Sequence, residues 1–492
     1  MGVLSELEPK NVFAVFERLC AVPHGSGNTK QISDLCVRFA RERGLRCRQD
    51  AVNNVVIWKD ASAGCEAAEP VILQGHLDMV CAKTADCAKD MAREGLDVRT
   101  DGRYVWADKT SLGGDDGIAV AMILAILGDD SLPHPPIEAV FTVDEEVGMD
   151  GAFALDCSDL RGRRLLNIDS EEEGVFTVSC AGGMRVDSFL PGVLEPLSGE
   201  TGYTVTLSGL LGGHSGVEID KGRGNANHLM GRALYMAMEA CPGLRVANLR
   251  GGEADNVICR ECTAKVAVPA EYAAAFGTFI QEFEAVLQNE YAAGDPGLTL
   301  CCEPTELDAA LDAETTSRIL HVLFALPQGV QEMNLDFPGL VQTSLNLGMI
   351  AVEPDGLHFT HSLRSSVASQ KELLRRKLRS MVEYAGGTAG ERGDYPGWQY
   401  RRDSALRALV RDAYRSLTGG EGRIEATHGG LECGLFISKI PGLDAVSIGP
   451  DLTDVHSARE RLDASSTARV YALICEILRR CAQPENGGGT EV

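Results

Sequence analysis

An apolar run with the character of a buried strand ends in three adjacent acidic residues in the stretch Phe141-Thr142-Val143-Asp144-Glu145-Glu146-Val147-Gly148. Carboxylates fixed side by side at the mouth of a strand repel one another and lose solvation, so a cluster of this kind calls for a cation among its members. Four other segments share the outline of an apolar run leading to a His or an Asp. They are Val71-Ile72-Leu73-Gln74-Gly75-His76-Leu77-Asp78, Leu112-Gly113-Gly114-Asp115-Asp116-Gly117, Leu165-Leu166-Asn167-Ile168-Asp169, and Ala445-Val446-Ser447-Ile448-Gly449-Pro450-Asp451, which continues to His456. The pattern predicts five strand ends that meet around metal.

Around these segments the hydrophobic spacing alternates between helix and strand. Val12 to about Arg43 reads as two helices broken by the loop at 22–28, Leu45 to Trp58 alternates like a strand, and Gly117 to Leu127 is apolar enough for a buried helix. Strands alternating with helices predict a mainly parallel sheet whose site lies beyond the carboxyl ends of its strands. After about Gly183 the rhythm changes to alternating strands, with helices over 226–240 and 273–288. From Ser369 a further helix is expected, opened by a Ser-x-x-Glu capping box to Glu372, with Leu373, Leu374, Leu378, Met381, Val382 and Ala385 on its apolar face. Arg375, Arg376, Lys377 and Arg379 read as its solvated side. The first rhythm resumes near Ala405, so one domain is inserted in another, and 492 residues suffice for both cores.

Acidic residues outnumber basic ones by 71 to 46, a formal charge of −25 that excludes a general nucleic-acid or anionic-membrane partner. No window is apolar enough to predict a membrane span. The first twenty residues lack a signal-peptide core, so the expected compartment is the cytoplasm, with the sixteen cysteines as reduced thiols. Cys259-x-x-Cys262 sits among alternating apolar residues and reads as ordinary strand positions.

His76, Asp115, Glu146, Asp169 and His456 make a set of two imidazoles and three carboxylates. That mix suits zinc, with manganese or cobalt also admitted. One bridging carboxylate would give each of two metals three protein ligands and an open position. Asp78, two residues beyond His76, is placed to fix the imidazole's tautomer. Glu145 and Glu146 are expected on opposite sides of a strand end, one to ligate and the other to carry protons.

Several motifs, in this order and with fitting gaps, resemble the aminoacyl-histidine dipeptidases. They are Gly75-His76-Leu77-Asp78-Met79-Val80, Thr110-Ser111-Leu112-Gly113-Gly114-Asp115-Asp116-Gly117, Asp144-Glu145-Glu146-Val147-Gly148, Asn167-Ile168-Asp169-Ser170-Glu171, Gly213-His214-Ser215-Gly216, His428-Gly429-Gly430-Leu431-Glu432-Cys433-Gly434, and Gly449-Pro450-Asp451 to Asp454-Val455-His456-Ser457. These cytosolic non-specific (Xaa-His) dipeptidases belong to the zinc peptidase superfamily that also holds aminoacylases and carnosinases.

The resemblance implies an α/β, mainly parallel-sheet catalytic domain with an inserted α+β lid. The expected segments are 1–184 and 397–483 for the catalytic domain, 185–396 for the lid and dimerisation domain, and a disordered tail at 484–492. It also implies two zinc ions per subunit bridged by Asp115, with His76 and Asp169 on one and Glu146 and His456 on the other. Glu145 would be general base and proton shuttle, and Asp78 would orient His76. The peptide bond after Asp115 would be cis. Asp116 stands where many relatives have Asn, adding a negative charge. In the lid, His214 would polarise the scissile carbonyl, while Asn256 and Arg364 would hold the peptide backbone and terminal carboxylate, the latter as a bidentate clamp. His24, His134, His228, His321, His358, His361 and His428 are read as ordinary core or surface histidines, with His428, in a motif loop, also a candidate to line the pocket. The implied substrate is a dipeptide and the implied assembly a homodimer through the lid. The alternatives are an N-acyl amino-acid deacylase or tripeptidase on the same scaffold, and more remotely a non-catalytic metal-binding scaffold.

Overall fold

Aliphatic, β-branched runs build the centre of the first unit, which comprises Met1–Ser179, Tyr400–Ala426 and Leu431–Val492. In the computed structural model, which describes residues 2–483, the strands Val71–His76 and Ile137–Thr142 are buried at every position. Strands covered on both faces read this way. The sheet has eight strands in the order Arg46–Gln49, Val55–Lys59, Ile137–Thr142, Val71–His76, Arg164–Asn167, Asp444–Ser447, Val175–Cys180, Arg423–Thr427.

Its four middle strands run parallel, while Arg46–Gln49, Val55–Lys59 and Val175–Cys180 pair antiparallel with their inner neighbours. The expected parallel sheet is therefore parallel at its heart and antiparallel toward its margins, and of the antiparallel pairs Arg46–Gln49 with Val55–Lys59 is a short hairpin. His76 pairs with Thr142, and Gln74 with Asn167, so three strands reach the same level before their functional residues begin.

Two expectations for this unit need correction. Leu112 to Gly117 is not a strand end. Gly113 adopts φ 66°, open to glycine without strain, and turns the chain directly into the buried helix Gly114–Leu127. Nor do Glu145 and Glu146 alternate across a strand, because the strand stops at Thr142 and both lie in the turn that follows. The polar insertion at 81–111 contributes Val98–Thr100 and Tyr104–Ala107 to a four-stranded sheet with Leu452–Thr453 and Arg461–Asp463. The last two pair with each other, Leu452 opposite Leu462, making residues 454–460 a hairpin loop that carries His456.

The second unit, Cys180–Gln399 with Thr427–Gly430, is an antiparallel nine-stranded sheet. Helices Ala226–Ala240, Ala273–Glu290, Ala313–Ala325 and Ala368–Tyr384 supply apolar faces to its core. Cys259 and Cys262 lie in that core. Thr427–Gly430, counted from the sequence in the second catalytic segment, groups here instead. The Ser369 capping box does not form. The helix begins at Ala368 without a side-chain cap, because Glu372 is taken up by charge-assisted bonds from Arg375 and Arg376, each as short as 2.6 Å. Leu374, Leu378 and Val382 face the core, whereas Leu373 is 50% exposed. The tail expected at 484–492 lies outside the described residues.

His361 belongs to the strand Gly356–Ser365, on the same face as the core residues Leu357, Phe359 and Leu363. It is fully buried, and neither ring nitrogen has a hydrogen-bond partner. Burial, reinforced by His228, pushes its pKa down to about 3 from 6.5. The folded chain refuses a proton that the unfolded chain accepts, so His361 costs no stability above pH 6.5 and progressively more as pH falls from 6.5 toward 3. At pH 5 this amounts to about 2 kcal/mol. Urea midpoints compared at pH 7 and pH 5 should fall on acidification, and His361→Leu should make the fall visibly shallower.

Candidate metal centre

Asp115 lies between two imidazoles contributed by distant parts of the chain. Its Oδ1 is 3.1 Å from His76 Nε2 and its Oδ2 is 3.1 Å from His456 Nε2. Asp169 Oδ1 stands 3.6 Å from His76 Nε2, and Glu146 Oε1 stands 2.9 Å from His456 Nε2. The five residues thus form two half-sites that share one carboxylate.

Each is placed by local chemistry. His76 closes its strand, and its Nδ1 lies 3.0 Å from the Asp78 carbonyl oxygen and 3.5 Å from the Asp78 carboxylate. A carbonyl can only accept, so Nδ1 carries a proton, and Nε2 faces Asp115 and Asp169, where a bound cation would take its lone pair. The Asp78 carboxylate has a second task that the sequence did not disclose. It accepts the backbone N–H groups of Glu145 at 3.1 Å and Glu146 at 3.4 Å, and the Ser26 hydroxyl at 2.8 Å. One side chain therefore holds both the His76 ring and the acidic turn. The Asp115–Asp116 peptide bond is cis.

The electrostatics show a cluster short of positive charge. Burial pushes Asp169 up to about 6, and burial together with Asp169 raises Asp116 and Glu145 well above the carboxylate range. Hydrogen bonds to Asp115 and Glu146 lift His456 to about 10. His76 is also raised, burial being outweighed by Asp115, Asp169 and Asp78. Asp116 Oδ2 accepts the His76 backbone N–H at 3.1 Å.

A divalent metal fits this donor set. Glu146 Oε1 is buried and has no partner other than the His456 ring, 2.9 Å away, and a cation between the two would take a lone pair from each. Two ligands on one tetrahedral zinc stand roughly 3.3 Å apart, and the nitrogen–oxygen separations here run from 2.9 to 3.6 Å.

Comparison with known proteins settles the lineage. Residues 205–295 match the M20 peptidase dimerisation domain. The chain is 38% identical over 482 residues to the cytosol non-specific dipeptidase of Escherichia coli (strain K12), covering 97% of this chain and 99% of that one. Its fold superposes on aminoacylhistidine dipeptidase from Vibrio alginolyticus with a TM-score of 0.91 at 35% identity, covering 97% and 98% of the two chains. The chain belongs to the aminoacyl-histidine dipeptidase family.

As a member of that family it is a metallopeptidase. Aminopeptidase PepT from Bacillus cereus ATCC 10987 shares the fold alone, with a TM-score of 0.57 at 14% identity over 97% of this chain and 100% of that one. The family's lid residues fall in the second unit. His214 Nδ1 accepts the Gly216 N–H at 3.2 Å, and the Asn256 carbonyl accepts the Ser215 N–H at 2.8 Å. Arg364 is 9% exposed and donates to the Tyr395 hydroxyl at 3.1 Å, while its buried Nε has no partner. His428 pairs with the Ser344 hydroxyl at 2.8 Å.

Two acids that sequence reasoning passed over support the centre. Glu432, inside a motif already quoted, is fully buried and raised to about 8 by burial. It accepts from Gln74 at 2.6 Å and Thr142 at 2.7 Å, and Asn167 donates to Gln74 at 2.6 Å. The three strands bearing His76, the acidic turn and Asp169 are thereby tied just beneath them. Glu460, four residues past His456, bonds to the Asp115 loop. Its spacing from His456 was the available signal.

Because Asp78 holds two parts of the cluster, Asp78→Ala should lower metal affinity about 10–100-fold, read by competition with a chelator. An unchanged affinity would show that neither contact matters to the centre.

Proposed function

We propose that this chain is a dinuclear zinc dipeptidase that hydrolyses unblocked dipeptides, Xaa-His among them, working in the cytoplasm as a homodimer formed through its second unit. The observation that carries the reading is the Asp115 carboxylate, one oxygen toward each imidazole, with the half-buried Glu145 nearby and engaged by neither ring. In this reading His76 and Asp169 hold one zinc, Glu146 and His456 hold the other, and both share Asp115. Zinc held there supplies Lewis acidity, polarising a peptide carbonyl and bringing the pKa of water from ~16 to about 7.

The side chains do the rest. Burial and Asp169 make Glu145 a ready proton acceptor, so it takes the proton of the attacking water and returns it to the leaving amine. Asp78 fixes where Glu145 stands, through its backbone N–H. The Gly216 N–H occupies His214 Nδ1, which leaves the ring proton on Nε2, and burial with Arg364 keeps the ring neutral. His214 thus offers a hydrogen bond to the carbonyl oxygen as negative charge develops. Arg364, desolvated and with an unused N–H, takes the substrate's terminal carboxylate, and Asn256 holds its backbone.

The names of the two full-length relatives support the substrate class, and the match to a dimerisation domain supports the assembly. The relative's cytosolic name supports the compartment. Among the described residues no helix is long and apolar enough to cross a membrane.

Glu145→Gln should keep its zinc and lose about 10²–10⁴-fold in kcat on a dipeptide; near-normal turnover would remove Glu145 from the chemistry. A panel of carnosine, Xaa-His and other dipeptides, tripeptides and N-acetyl amino acids should show turnover concentrated on free dipeptides. Preference for the N-acetyl compounds or tripeptides would replace this reading with a deacylase or a tripeptidase.

A further inference from the structure

We infer that Glu460 is a positioning residue that delivers Asp115 and His456 to one metal as a single mechanical unit, an inference that rests on the dinuclear reading above. Glu460 is 2% exposed, yet it belongs to the 454–460 hairpin loop, in which Asp454, His456 and Arg459 are exposed. Its Oε2 accepts the N–H groups of Leu112 at 2.7 Å and Gly113 at 3.1 Å. Its Oε1 accepts those of Gly114 at 2.7 Å and Asp115 at 3.4 Å.

Four peptide donors converging on one carboxylate form a charge-assisted clamp. They lie in the loop that leads into helix Gly114–Leu127, ahead of its regular turns, because Asp115 and Asp116 are not helical. A carboxylate from a remote loop thus satisfies peptide N–H groups that have no local partner. The glycines of the Leu112-Gly113-Gly114-Asp115 motif follow from this clamp. Gly113 takes φ 66°, and a methyl group on Gly114 would stand 3.1 Å from Glu460 Oε1 and 2.7 Å from Leu452 Cδ2.

The clamp links the two ligands. Glu460 follows His456 by four residues in a loop closed by the pairing of Leu452–Thr453 with Arg461–Asp463 and by the Glu460 N–H to the Ser457 carbonyl at 3.2 Å. Any shift of that loop moves the His456 ring and the Asp115 backbone together. His76 and Asp169 reach the centre from the ends of sheet strands, which this clamp does not touch. The metal at Glu146 and His456 depends on two clamped ligands and the other only on Asp115, so loss of Glu460 should loosen the first more than the second.

The test uses the full chain and zinc alone. Wild type, Glu460→Gln and Gly114→Ala are equilibrated against a series of buffered free-zinc concentrations, and bound zinc per chain is counted. Circular dichroism reports that each variant is folded. The amide introduced by Glu460→Gln keeps one acceptor oxygen but turns an NH₂ group toward peptide donors, so one of the two zinc equivalents should require about 10–100-fold more free zinc while the other shifts distinctly less. Gly114→Ala, which crowds the clamp without removing the carboxylate, should show the same unequal loss. Two equivalents at wild-type affinity in folded Glu460→Gln, or parallel release of both, would overturn this inference alone. A wild-type chain that binds no zinc would overturn it together with the dinuclear reading.

Discussion

Carboxylates held close together in a poorly hydrated place set the conditions for everything around this centre. Asp115, Glu146 and Asp169, with Asp116 and Glu145 beside them, cannot all be ionised around two imidazoles without positive charge among them. The chain meets the problem residue by residue. Burial raises the proton affinity of Asp116 and Glu145, while that of Asp78 is lowered, the effect of burial being outweighed by His76, Ser26 and the Glu145 N–H. What remains is a donor set whose charge only a cation can satisfy. The buried layer of Gln74, Thr142, Asn167 and Glu432 beneath it supplies neutral hydrogen bonds rather than more charge. Such a layer holds strand ends in place without competing for the cation.

The second unit solves a different problem, the presentation of donors. His214 gives up its Nδ1 to a peptide N–H, and Arg364 is buried with one N–H unused. Both arrangements leave a polar group committed on one side and available on the other, which is what recognition of a carbonyl and a carboxylate requires. The basic helix Ala368–Tyr384 has no such character. Its Arg375, Arg376 and Arg379 are spent on Glu372, Glu391 and Glu383 at its own surface.

Much of this was legible in the chain. The strands Val71–His76 and Ile137–Thr142 announce themselves because both faces are buried, and the five donor residues stand out because acid and imidazole follow directly on apolar runs. Local geometry was less accessible. Period-two alternation suggested opposite faces for Glu145 and Glu146, but it does not reveal that the strand stops at Thr142 and that Asp78 holds the turn. Leu112 to Gly114 resembled a strand because its apolar residue and small neighbours carry no sign of the remote carboxylate that shapes them. The Ser369 capping box failed for a related reason, since Glu372 had two arginines within a helical turn. Glu432 and Glu460 were hidden because a buried acid and a surface acid look alike until their partners are known.

The position of the strand Asp444–Ser447 bears on how the molecule is made. It pairs in parallel with Arg164–Asn167, and the whole of Cys180–Gln399 lies between them in the chain. On the ribosome, at about 5–20 residues per second, the earlier strand waits tens of seconds for its neighbour. Meanwhile the intervening antiparallel sheet already has nearly all of its own polypeptide. Biogenesis thus runs from the inside of the sequence outward, and the hydrolytic machinery is assembled only after the second unit has been made.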